Sequence, residues 1–127
     1  MIEIRYRAWD SVQGVMLPVE CINFREGTVT LNEGDNSVTD TLEMFQLMQY
    51  IGLKDKNGKE IYEDDIIQIK DHPFEGAIKI DNNYRVSFNE RMELCAGSWL
   101  LHRVLYCSEV IGTIWEHPHL LEGRDEA

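Results

Sequence analysis

The chain has 127 residues, 43% of them hydrophobic, and a formal net charge of −11. That length fits one domain whose core needs neither disulfide nor metal to fold, and no apolar run approaches the roughly 18 residues of a membrane helix. The acidic balance argues against nucleic-acid binding and against docking on an anionic membrane, both of which rest on Lys and Arg. Met1 to Arg5 lacks the basic and apolar regions of a signal peptide, so a cytoplasmic chain is expected. Cys21, Cys95 and Cys107 are odd in number and form no CxxC pair, which disfavours a disulfide framework or zinc site and predicts reduced, mostly buried thiols.

Ile2, Ile4, Tyr6 and Ala8 alternate with Glu3, Arg5 and Arg7, the period of a half-buried strand. Asp10-Ser11 supplies turn chemistry. A second strand runs from Val15 to Phe24, with Pro18 marking an edge or a bulge, and a third from Thr28 to Leu31 after the Glu26-Gly27 turn. Asn32 to Asp40 reads as a polar loop. Met44, Leu47, Met48 and Ile51 have helical spacing, but Leu47 to Tyr50 also suits a strand; a short helical or loop segment becoming strand by about Leu47 is expected. Asn57-Gly58 predicts a hairpin with a type I′ turn, flanked by Lys56 and Lys59 and outside them by Asp55 and Glu60.

Ile66-Ile67-Gln68-Ile69 is a strong β run. His72-Pro73 is a loop, Ala77 to Ile80 a strand, Asp81-Asn82-Asn83 a turn, and Tyr84, Val86 and Phe88 alternate, so Ile78 to Phe88 reads as a second hairpin. Trp99 to Tyr106 fits a buried strand or two helical turns equally. Glu109 to Trp115 is a last strand, ended by Pro118, and residues 122–127 are a polar tail following a single domain of residues 1–121. Many short strands separated by turns predict a mainly β barrel or sandwich.

Few residues suggest chemistry. His117 and His119, with Glu116, are the best metal candidate, though Pro118 separates them and no third ligand is evident. Asp55, Asn57, Gly58 and Glu60 superficially resemble a calcium loop but lack its further oxygen ligands. Of Glu63, Asp64 and Asp65 only the first and last share a strand face, and Asp65 is expected to accept backbone N–H groups near the turn. Cys95 or Cys107 with His102 could pair as nucleophile and base, without any flanking signature. Trp9, Trp99, Trp115, Tyr6, Tyr50, Tyr62, Tyr84 and Tyr106 are expected mostly in the core, with some able to line a peptide groove.

Leu47 to Ile66 resembles the signature block of YopX-type proteins of phages and prophages, and Arg7-Ala8-Trp9-Asp10 and Glu109 to Pro118 resemble that family's ends. The chain departs from the pattern at Ile51, where Thr is usual, at Asp64, where Gly is usual, and at His117 and His119, which replace Asn and Glu. The resemblance implies an SH3-like barrel core with extra N-terminal strands and at most short helices, in a phage or prophage protein without established enzymatic activity. The resulting expectation is a non-catalytic accessory protein of the bacterial cytoplasm acting through protein contacts. It would be a homo-oligomer or bind an unidentified phage or host protein, with no catalytic, cofactor-binding or metal residues. The alternatives are an acidic inhibitor or DNA mimic of a host nucleic-acid-binding protein, motivated by the charge, and a metal-assisted hydrolase using His117 and His119.

Overall fold

The computed structural model describes residues 3–71 and 81–121, in two compact units that divide after Tyr50. The His72-Pro73 loop, the strand expected at Ala77 to Ile80 and the polar tail lie outside the described residues.

The first unit is an antiparallel meander. Strands β1 (Tyr6–Asp10), β2 (Val15–Asn23), β3 (Thr28–Asn32) and β4 (Ser37–Thr41) follow one another, and the first part of β5 (Gln46–Lys54) returns beside β1, giving the order β4-β3-β2-β1-β5. Turn chemistry sets the connections. The Asp10 carboxylate accepts the N–H groups of Val12 (2.9 Å) and Gln13 (3.2 Å), and Gly14 closes the β1–β2 turn at φ 69°. Asn23 does the same for Glu26, with Gly27 at φ 68°. Ala8, Val29 and Leu31 are buried and packed by Leu17, Val19, Ile22, Leu42, Phe45 and Leu47.

Two expectations fail here. The alternation of the N-terminus stops short of Ile4, which is 77% exposed. The supposed loop Asn32 to Asp40 contains β4, whose five residues are all exposed. A strand held at a sheet edge by its ladder to β3 and by the Thr30–Thr39 hydroxyl contact at 2.8 Å needs no apolar face, so it leaves no period-two signal. The ambiguous segment resolves into a 3-10 turn at Leu42–Met44 followed by strand from Gln46.

In the second unit β5 ends and β6 (Glu60–Tyr62) lies next to it. The turn between them is not type I′. Gly58 alone is left-handed (φ 83°), its N–H donates to the Asp55 carbonyl at 3.0 Å, and Asp55 N–H donates to the Lys59 carbonyl at 2.8 Å. This is a three-residue loop, a type I turn closed by a glycine bulge. Strands β7 (Asp65–Ile69), β8 (Asn82–Phe88), β9 (Leu94–Ala96), β10 (Trp99–Leu100) and β11 (Ser108–Thr113) form a second antiparallel sheet, ordered β10-β9-β8-β7-β11. β8 already begins at Asn82, opposite Ile69, so Asp81-Asn82-Asn83 is not a turn.

The run Trp99 to Tyr106 is both things at once. Two residues of strand are followed by helix α1 (Leu101–Val104) and a 3-10 turn at Leu105–Cys107. Leu101 and Val104, three apart, are buried in the core with Ile61, Ile67, Ile69, Tyr84 and Val86, while His102 and Arg103 are exposed. That helix answers the expectation of a barrel. β10 and β11 are the two edges of the second sheet, and the chain joins them by a helical segment whose apolar side enters the core. Among the described residues, neither sheet closes into a barrel.

Candidate functional site

The residues singled out from the sequence turn out to have structural partners. Asp55 is 6% exposed. Its Oδ1 accepts the N–H groups of Asn57 and Lys59, and its Oδ2 that of Val110, each at 2.9 Å. Burial pushes its carboxyl up, but the three N–H groups and the Lys59 charge outweigh burial and hold it below the ordinary carboxylate range. Both oxygens thus face N–H donors, which is the opposite of a calcium ligand. Asp65 is fully buried and accepts Tyr62 N–H at 2.8 Å, the acceptor role expected of it. Its carboxylate is out of reach of solvent.

His117 folds back onto β11. Its N–H donates to the Thr113 carbonyl at 2.8 Å, and its Nδ1 accepts Thr113 N–H at 3.3 Å. The Nδ1 lone pair is thus taken by a backbone N–H rather than offered to a metal. His119 lies with its ring centroid 6.1 Å away, and Glu116 accepts the Thr113 hydroxyl at 3.2 Å. Among the described residues, no three His, Cys, Asp or Glu side chains gather as a metal site.

Cys95 and Cys107 are buried, and their thiols donate to the carbonyls of Glu93 and Val104. Burial pushes both thiols up, with Glu93 adding to the effect at Cys95 and Asp81 at Cys107, away from the thiolate a nucleophile needs. Cys21 departs from the expectation of buried thiols: it is exposed.

Cys21 leads to the feature the sequence did not announce. Strict alternation along β2 would put Leu17, Val19 and Cys21 on the core face. The ladder to β3 shifts register between Val19 and Cys21, and this bulge carries Ile22 inward and Cys21 outward. Beside the bulge lies a groove of about 420 Å³ lined by Ile4, Arg5, Tyr6, Val19, Glu20, Cys21, Ile22 and Phe24. Ile4 and Phe24, 77% and 80% exposed, stand at it as large apolar side chains in water. Arg5 is held by an ion pair to Glu3 and lies over the Tyr50 ring, 4.7 Å from its centroid. Glu20 accepts the Ser37 hydroxyl at 2.6 Å. Of the aromatics thought able to line a groove, Tyr6 does so, whereas Tyr50 and Tyr84 are buried. The available sequence signal was Pro18 inside a strand; Ile4 and Phe24 read as strand residues and only the structure places them beyond the strand ends.

The family described as YopX protein matches residues 5–122, nearly the whole chain. The chain belongs to the YopX family. No curated protein matches it. Among solved structures it is similar to the crystal structure of protein EF1440 from Enterococcus faecalis, at 24% identity and a TM-score of 0.67, over 96% of this chain and 100% of that one. That likeness is one of fold.

Two departures of this YopX chain from the family pattern now have a physical account. Asp64, where Gly is usual, has φ 67°, a left-handed conformation that Asp tolerates better than most residues. Its carboxylate also gains partners a glycine lacks: Arg85 Nη2 at 2.8 Å and Trp115 Nε1 at 3.3 Å. His117, where Asn is usual, supplies through Nδ1 an acceptor that an Asn side-chain oxygen also offers.

Proposed function

We propose that this chain is a non-catalytic protein-binding domain, encoded by a phage or prophage and working in the cytoplasm of the bacterial host. The observation that carries this reading is the apolar groove beside the β2 bulge, with Ile4 and Phe24 held in water at it. Contiguous apolar surface left in water, rimmed by polar residues, is a feature of protein contact sites. The side chains that could have served catalysis support the same reading, because Asp55, Asp65, His117, Cys95 and Cys107 are each engaged with backbone groups.

Affinity capture from infected or lysogenic cells tests it, comparing the natural chain with the double variant Ile4→Asp, Phe24→Asp. Both side chains are exposed, so the variant should fold. A specific protein retained by the natural chain and lost by the variant is expected. Identical captures from the two chains would sink the reading. Light scattering on the purified chain shows whether the partner is a second copy.

A further inference from the structure

The sheet of the first unit forks, and the fork leaves a strand edge open. The β1–β2 ladder runs from Asp10 opposite Val15 to Arg7 opposite Pro18 and stops there. The β2–β3 ladder continues to Asn23 opposite Thr28. On the other side of the fork the chain ahead of β1 stays with β5, where Tyr50 N–H donates to the Arg5 carbonyl at 2.8 Å. One local feature accounts for the split: the bulge between Val19 and Cys21 bends β2 away. Among the described residues, β2 beyond Pro18 therefore has β3 on one side and the groove on the other.

We propose that Val19–Asn23 takes up an extended segment of a partner protein as an added strand. Its apolar side chains would enter the groove against Ile4, Tyr6 and Phe24, and a Lys or Arg would meet Glu20. The inference rests on the protein-binding reading above and specifies its mode and partner chemistry. Strand addition suits an open edge because backbone hydrogen bonds supply affinity and pockets for alternate side chains supply specificity. Charge selects the occupant. Arg5 is already paired with Glu3 and stacked on Tyr50, whereas Glu20 receives a hydrogen bond from a neutral hydroxyl. The groove thus presents a negative charge to whatever fills it. A second copy would set −11 against −11, so the segment that fits is basic and apolar and belongs to a different protein.

The test is selection from a displayed library of extended decapeptides. Val, Ile or Leu stand at alternate positions, and Lys, Glu or Thr vary between them. Peptides carrying Lys are expected to be enriched. The best of them, synthesised, should slow alkylation of Cys21 by about fivefold and slow hydrogen exchange at the outward-facing amides of Val19–Asn23. Glu20→Lys should weaken its binding about tenfold, and Ile4→Asp with Phe24→Asp should abolish it at an unchanged melting temperature. Binding that protects Cys21 but leaves those amides exchanging freely refutes strand addition and leaves the groove reading intact. No enrichment, enrichment of Glu-bearing peptides, or an inert Glu20→Lys also overturns the proposal. So does protection of Cys21 in the chain alone together with a doubled mass.

Discussion

Asp55 links the tip of one hairpin to the middle of another strand. Removing its carboxylate leaves the N–H groups of Asn57, Lys59 and Val110 without their acceptor in a buried place. Asp55→Ala should lower the unfolding free energy by about 2–4 kcal/mol, read from urea titration. The pH dependence follows from the direction of its shift. The folded carboxyl titrates below its unfolded value of about 3.9, so its stabilisation is full above that value and is lost as the pH falls through the folded one. In Asp55→Asn that acid-side slope should flatten; an unchanged slope would mean other carboxylates dominate. Asp64 makes a contrasting case. Asp64→Asn keeps a residue suited to left-handed backbone and should cost less than about 1 kcal/mol, while Asp64→Val meets strain and loses both Arg85 and Trp115, costing about 2–3 kcal/mol. For the thiols, one cysteine per chain, Cys21, should react quickly with an alkylating reagent, and Cys95 and Cys107 only on unfolding.

Connections between strands repeat one device. Asp10, Asn32, Asp55 and Asn89 each begin a turn by accepting the N–H two residues on, from Val12, Gly34, Asn57 and Arg91. Asp and Asn do this because their short side chains reach their own downstream backbone. Of these, the turns at Asp10 and at Asn57-Gly58 were legible as Asx and Gly residues, and with Glu26-Gly27 they put β1, β2 and β3 close to their expected places; the turn at Asn89 was not read. The type of turn at Asn57-Gly58 was not legible, since the Asp55 carboxylate, by capping two N–H groups, selects the longer loop. β11 depends on a close approach instead. A Cβ on Gly112 would lie 2.5 Å from His117 Nδ1, where the ladder to β7 also shifts register. Gly112→Ala should therefore cost about 1–3 kcal/mol. In a His117→Ala background the same change should cost less, since only the contact with the residue 117 Cβ at 3.1 Å remains. Equal costs in both backgrounds would show that the imidazole is not the obstacle. Helix α1 should be the most sensitive short element: Leu101→Ala removes a fully buried side chain and should cost about 2–5 kcal/mol by denaturant unfolding.

Across the whole chain, a net charge of −11 bears on self-repulsion and association rather than on the fold. Three of its acids, Asp10, Asp55 and Asp65, are buried acceptors rather than parts of a surface patch, which weakens the mimicry of nucleic acid that charge alone suggests. The exposed remainder repel one another. Raising NaCl from about 0.05 to 0.5 M should lift the melting temperature by about 2–5 °C, and a fall would show that attractive pairs such as Arg85–Asp64 outweigh repulsion. Local chemistry, carried in short stretches of sequence, was enough to establish the β class, most strand positions, several of the turns and the family, because alternation and turn residues act over two to five positions. Contacts between distant segments were needed for the rest. Ladder partners made β4 a strand without an apolar face. A buried Leu101 and Val104 put a helix where a sheet edge could have closed. A bulge after Pro18 reversed the facing of Cys21 and Ile22, and so opened the groove on which the functional reading stands.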